Sequence, residues 1–509
     1  MKAVHGLPRL RVMLGGAPLD AGRAGALRWL RVAQALSAPA QCELVFQVPD
    51  ERLASDGIAP GTPIRIEVED HATALFSGEV TAVEHVYTAT RWLELRIRAY
   101  DPLHRLQKRQ TARAMTDVDA AAVAREVLAD AGIAASVEAG GTAVTWPTLL
   151  QHDQTDFELL REVCERAGLY FVLRQGTLHL LTLEGVSGDE RPALTLGDDL
   201  LEATFELNAA LTCGRVVARG WDPGRAVPLE ARAEAPRSGR EAAARVTLAD
   251  VGGAEERLVG GVTGAVEAHA QLRAQAELDR AAASELTLRG TAQGDPALRP
   301  GTAVEIVGVA DRLAGTYLLT EVVHTIDPET GYLAALSSFP PPPLLMRSGA
   351  TAIALGKVST VDDPEGLGRV RVRLPAFGGI ETGWLQVLGV GAGAKKGLCI
   401  LPDTDDQVLV SLVPHDLGQA IVLGGLYGDA HPDPGVEGGS VRRFSLQTAG
   451  GQRLFFDDQR RTLRISDAKG SHFEIGPEGV SLHSKVPLTI EAPGQALVFR
   501  ASSIDFERR

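Results

Sequence analysis

At 509 residues the chain is long enough for about three domains of ordinary size. Its net charge of −14 argues against nucleic acid as a principal partner, because phosphate binding needs concentrated Lys and Arg, and disfavours docking on anionic lipid by charge alone. Hydrophobic residues at 45% and charged residues at 23% suit a folded protein, and 55 glycines with 28 prolines imply many turns between strands.

Cys42, Cys164, Cys213 and Cys399 are scattered and form no C-x-x-C pair. They read as small buried apolar residues in a reducing compartment, not as a disulfide framework or zinc site. The segment Met1–Pro8 lacks the apolar core of a signal peptide, and no apolar run is long enough to span a bilayer. Synthesis and folding in the cytoplasm are expected.

The first region extends to Pro340-Pro341-Pro342-Pro343, which lacks backbone donors and reads as a stiff linker. Strands are expected where apolar and charged residues alternate: Pro63–Val68, Trp92–Ile97, Val304–Val309 and Tyr317–His324. Three helices interrupt them, at Val118–Ala131, Asp156–Ala167 and Ala265–Ser284. The second has an N-cap at Thr155 with Glu158 three residues on, a capping box, and Gly168 as its stop. Phe157, Leu160, Cys164 and Ala167 share one of its faces. The third is polar apart from Val266, Leu272 and Leu278, and its packing partner is not evident.

A second region, roughly 349–430, has the texture of a small β-domain. Strands are expected at Ala350–Val358, Gly368–Leu374, Trp384–Val387, Leu398–Leu401, Gln407–Val413 and Ala420–Gly424. In the second of these, Val370, Val372 and Leu374 point inward and the arginines outward. Five or six such strands suit a closed barrel of the OB type.

The third region, roughly 440–509, is a succession of short strands: Arg453–Phe456, Thr462–Ser466, His472–Ile475, Val480–His483, Leu488–Glu491, Leu497–Arg500 and Ile504–Phe506. Leu463, Ile465, Phe473, Ile475, Leu482, Leu488, Ile490, Ile504 and Phe506 form an apolar row at period two. One apolar face has no second layer to cover it, and open edges invite pairing with other chains. So small a unit would not be stable alone. Identical chains turning these faces inward around a threefold axis, as a β-prism needle, meet the need. These nine residues are the expected core of a homotrimer.

The second region then meets a family. Gly356-Lys357-Val358-Ser359-Thr360-Val361-Asp362-Asp363-Pro364-Glu365-Gly366-Leu367-Gly368-Arg369-Val370-Arg371-Val372 resembles the start of the OB domain in VgrG-type spikes and phage baseplate protein V. Leu401-Pro402-Asp403, Asp406–Val410 and Val422–Tyr427 resemble that domain's later strands. Asp156–Leu160 through Gly168–Phe171, with Arg299-Pro300-Gly301 and Gly315–Leu318, is similar to the family's tail hub, and Gly451–Asp458 to its entry into the needle. The resemblance implies a mainly β chain: a hub of two barrel-like subdomains with a few helices over 1–345, an OB barrel over 349–430, and a β-prism or β-helix needle over 440–509. It implies a homotrimeric spike on a hexameric inner tube protein, within a baseplate, capped by a PAAR-repeat tip protein, with effector cargo possible. The expected site of action is a phage-tail-like particle at or beyond the cell envelope. After Arg371–Leu374 the chain lacks the His-Trp-Asp of many type VI secretion spikes, and the needle is short. Both features fit an extracellular contractile injection system or a phage tail better than type VI secretion.

No catalytic residue, cofactor or metal site is expected. Gly389–Lys396 lacks the Ser or Thr and the helix of a phosphate loop, and reads as a barrel hairpin. Asp403, Asp405 and Asp406 read as a solvated loop. By alternation with Phe473 and Leu482, His472 and His483 point outward, away from any axial metal. A hub-borne cell-wall hydrolase and an oligosaccharide- or oligonucleotide-binding barrel are the competing readings; only 5% of residues are aromatic, too few for a stacking platform.

Overall fold

The computed structural model describes residues 7–507 except 49–56, 88, 90–92, 142, 152–153, 223–226, 247–250, 253–254, 264–266, 344–351, 414–415 and 429–430. Trp92, Ala265, Val266, Ala350 and Arg508-Arg509 lie outside the described residues. Residues 1–425 form one compact unit and 426–509 a second.

Alternation builds the first region. Leu93–Tyr100 buries Leu93, Leu95, Ile97 and Ala99 and turns its arginines out, as a strand with one covered face must. Such strands assemble into one antiparallel eleven-stranded sheet. Its order is Leu200–Leu207, Leu286–Gln293, Gly331–Ser337, Glu321–Asp327, Leu27–Ala35, Gln41–Val48, Leu93–Tyr100, Phe76–Tyr87, Pro63–Val68, Leu10–Leu14 and Ala17–Pro18. The sheet curls over two cores. One gathers Leu30, Leu44, Ile64, Ile66 and Ile97; the other gathers Leu288, Val304, Ile306, Tyr317 and Val322. The two barrel-like halves therefore share a continuous sheet, joined where Glu321–Asp327 pairs with Leu27–Ala35.

A third core lies beneath helices Ala120–Asp130 and Asp156–Arg166. The capping box is formed: Thr155 Oγ1 accepts from Glu158 N at 3.2 Å, and Thr155 N donates to Glu158 at 2.7 Å. Phe157, Leu160, Cys164 and Ala167 are all buried. The first helix begins at Ala120 because Asp119 caps it, and Val118 ends the strand before it. The third helix spans Glu267–Glu285. Its contact face is alanine: Ala270, Ala274 and Leu278 bury against Val216, Ala218, Ala231 and Ala233 of a three-stranded sheet. Small residues allow a close approach that a search for large apolar residues overlooks. A six-residue helix at Ala21–Ala26 and a 3-10 helix at Pro102–Lys108 add to the expected three.

Asp156, in the first turn of its helix, is wholly buried. It accepts from Arg113 at 2.9 Å, Arg109 at 3.1 Å and Gln151 at 2.8 Å, tying the helix to the two strands beside it. The proline stretch is pinned, not free: Arg161 donates to the Pro342 carbonyl at 3.0 Å, and Arg289 lies over the Phe339 ring. Among the described residues no helix is long and apolar enough to cross a membrane. The cysteines divide: Cys42 and Cys164 are buried and burial raises their thiol pKa, but Cys213 is half-buried and Cys399 exposed, so the uniform buried reading does not hold.

Candidate functional site

The barrel is a six-stranded sheet ordered Ile380–Glu381, Arg371–Leu374, Ala352–Thr360, Gln407–Val413, Asp416–Gly425 and Gln386–Val387. It closes where Val370 and Leu385 exchange backbone hydrogen bonds of 2.9 and 2.8 Å. Val370, Val372, Leu374, Val408, Val410 and Val422 are wholly buried within it. Three expected strands differ: Gly368–Leu374 shortens to Arg371–Leu374. Trp384–Val387 shortens to Gln386–Val387, and Leu398–Leu401 forms none, its Leu398, Ile400 and Leu401 being exposed. Short apolar runs in loops carry the same composition as strands, and only a partner ladder decides between them. Leu150, from strand Trp146–Gln151 of the first region, completes the barrel core.

The motif residues have physical reasons. A Cβ at Gly356 would stand 2.3 Å from Val372 Cγ1, so glycine lets two barrel strands cross closely. The following turn is organised by Asp363, whose side chain is only 2% exposed. Its carboxylate accepts from the amides of Glu365, Leu367 and Arg369 at 3.1, 3.0 and 3.3 Å, and from the Arg369 guanidinium at 2.7 and 3.0 Å. Arg369 holds this carboxyl far below the usual carboxylate range. Gly366 and Gly368 take positive φ of 65° and 72° to complete the loop. Asp363→Ala is expected to speed hydrogen exchange at Glu365, Leu367 and Arg369 by about tenfold or more, each amide losing its acceptor. Unchanged protection measured by NMR would refute this account of the turn.

The other loops are plain. Gly393 and Lys396 pair as a short hairpin in an exposed segment. Asp406 accepts from the Asp403 amide at 2.8 Å, closing a short exposed turn. Among the described residues no group of three or more His, Cys, Asp or Glu is placed to hold a metal.

The second unit is dominated by a five-stranded antiparallel meander: Arg443–Gln447, Arg453–Asp457, Thr462–Ser466, His472–Gly476 and Gly479–His483. Its register puts every large apolar side chain but Phe455 on one face. Phe444 stands opposite Phe456, Phe456 opposite Leu463, Leu463 opposite Ile475, and Ile475 opposite Val480. A second row runs Leu446, Leu454, Ile465, Phe473 and Leu482. Opposite residues of an antiparallel pair share a face, so both rows lie together. Among the described residues nothing covers them: Phe444 is 55% exposed, Ile465 52%, and Leu482 58%. The reverse face is polar, with Arg464 paired to Glu474 at 3.4 Å and the rings of His472 and His483 5.1 Å apart. Both histidines thus face away from the apolar rows.

Of the expected needle core, Leu463, Ile465, Phe473, Ile475 and Leu482 come together on this face. Leu488, Ile490, Ile504 and Phe506 do not: residues 484–507 form no strand, and the strands expected at Leu488–Glu491, Leu497–Arg500 and Ile504–Phe506 are absent. A strand exists only with a ladder partner, and past His483 this chain offers none. Phe444, Leu446, Leu454, Phe456 and Val480, not among the nine expected, share this face; Phe444 and Leu446 alternate with Arg443, Ser445 and Gln447 at period two.

A curled hub sheet, a closed OB barrel packed against strand Trp146–Gln151, and a meander with one bare apolar face together make a fold of the VgrG-like spike type. The model of the type VI secretion system/phage-baseplate injector OB domain matches residues 354–427. The model of the Alg8 N-terminal domain matches residues 46–328, more than half of the chain, and the chain belongs to that family. In fold it is similar to a chain of the Francisella PdpA–VgrG complex, with TM-score 0.56 and 10% identity over 94% of this chain and 80% of that one. An E. coli type VI secretion component similar to T4 bacteriophage tail proteins matches with TM-score 0.52 and 13% identity, over 82% and 100%. The 43 kDa tail protein of prophage MuSo2 from Shewanella oneidensis matches with TM-score 0.50 and 14% identity, over 65% and 98%. No curated protein matches in sequence.

Proposed function

We propose that this chain is the central spike of a contractile injection apparatus, acting as a homotrimer. The bare apolar face of the needle sheet carries the reading. Burying a side chain of this size stabilises by roughly 1.5–3 kcal/mol, and the two rows leave that free energy unclaimed in a single chain. A second and third copy with the same face satisfy it symmetrically. The functional parts in this reading are the hub over 1–345, the barrel over 349–430 and the needle over 440–509. The hub docks on a hexameric inner tube protein among baseplate components. The needle meets a PAAR-repeat tip, and effectors travel with the assembly through a target envelope. Synthesis is cytoplasmic, assembly is into a tail-like particle, and an extracellular contractile injection system is the preferred setting. The role is mechanical: stiffness is what a puncturing rod needs, and the similar folds belong to tail and secretion-system proteins.

Absolute mass in solution tests this. A value near three times 53.9 kDa is expected for the full chain, with dissociation at micromolar concentration after truncation behind Gly439. A full-length monomer would sink the proposal.

A further inference from the structure

A cleft of about 700 Å³ lies between the long sheet, the loop after helix Ala120–Asp130 and strand Tyr170–Arg174. Arginine sets its charge: Arg65, Arg105, Arg174 and Arg299 line it, against one carboxyl, Asp101. Asp101 is engaged by the amides of Ala40 and Leu103 at 2.9 and 3.0 Å. Burial pushes its pKa up to about 7, so it carries only part of a negative charge at neutral pH. In a chain of net charge −14 so one-sided a lining is a local exception.

Three of these arginines already have carboxylate partners: Arg65 with Glu67 at 2.7 Å, Arg105 with Glu79 at 2.6 Å, and Arg174 with Asp189 at 2.5 Å. The Arg299 side chain has no hydrogen bond or ion pair among the described residues, though it is half-buried. Burial holds its guanidinium below the ordinary range, and Asp189 and Asp295 act on it only at a distance. Behind it the Arg174 side chain is buried, with its Nε lacking any partner. Burial lowers the pKa values of Arg174 and His179, and the nearby Arg299 charge adds slightly in the same direction. A charge withdrawn from water without a counter-charge costs free energy, and a bound anion removes that cost.

We propose that this cleft is an anion site, taking a small ligand with a carboxylate or phosphate group on the Arg299 guanidinium. The planar fork of arginine matches both oxyanions, and the volume is that of a small-molecule site. The proposal is independent of the trimer and of the spike's mechanical role.

Titration calorimetry of the full chain at low salt, with citrate in one arm and pyrophosphate in the other, decides it. Saturable binding at one site per chain is expected in at least one arm. Citrate alone would assign carboxylates, pyrophosphate alone phosphates, and both a general oxyanion site. Arg299→Gln is expected to weaken binding by about tenfold or more, the scale of one charge-assisted contact. Ala134, exposed at the cleft, offers a second variant: Ala134→Glu supplies an internal carboxylate and should abolish binding, which decides the matter if Arg299→Gln does not fold. No heat in either arm, or binding that survives Arg299→Gln or Ala134→Glu unchanged, overturns the proposal.

Discussion

Aspartate placed together at Ile465 and Phe473 is expected to turn the proposed trimer into a monomer. The two residues stand directly opposite one another on adjacent needle strands, in the middle of the apolar face. In a threefold assembly the double substitution acts six times. Losing roughly 1.5 kcal/mol of burial at each position comes to about 9 kcal/mol, a factor of about a million in the association constant before any charge repulsion. Both side chains are already open to solvent in the single chain, at 52% and 37% exposure, so the fold of one chain should tolerate the change. Mass at micromolar concentration reads the result, and circular dichroism reports the intact hub. Ser445→Asp, on the reverse face, is the control and should leave the mass unchanged. A double variant that remains a trimer would show that this face is not the interface.

Asp156→Ala is the second large effect, this time on the stability of the first region. When Asp156 goes, Arg113, with its side chain 11% exposed, keeps the half-exposed Asp130 at 3.1 Å, and Arg109 at 37% keeps Asp130 at 3.7 Å. Removing one partner of a buried ion pair costs about 3–5 kcal/mol. For a unit this large that corresponds to a melting-temperature loss of roughly 3–6 °C, by calorimetry. Asp156→Asn keeps an acceptor for Gln151 and should lose less. A shift within about 2 °C for the alanine variant would mean that solvent reaches the arginines and that the network is not a keystone.

The elements differ in how far local chemistry determines each of them. Helix Asp156–Arg166 is written out in its own residues: cap, box, apolar stripe and terminal glycine all act within one turn of where they stand. The needle meander is equally local, because alternation at period two and a turn residue every few positions leave little freedom. The face bearing Ile465 and Phe473 was therefore legible before any coordinates. The barrel turn at Asp363 was legible as a motif, but its cause was not, since one carboxylate serving the amides of Glu365, Leu367 and Arg369 is a three-dimensional arrangement.

Other features depend on partners far away along the chain. Leu150 entering the barrel core, Asp156 gathering Arg109 and Arg113, and Glu321–Asp327 joining Leu27–Ala35 are contacts between segments with no shared local signal. Arg299 looks like any surface arginine until burial removes its water and no carboxylate replaces it. The segment after His483 shows the converse limit. Leu488, Ile490, Ile504 and Phe506 have the strand pattern, yet no strand forms, because a backbone hydrogen-bond ladder needs a neighbour. By itself the sequence determined which residues are apolar, at what period, and where the chain must turn. Tertiary structure alone decided which strands meet, which charges are left without a partner, and which apolar face stays bare, because burial and hydrogen bonding are properties of pairs.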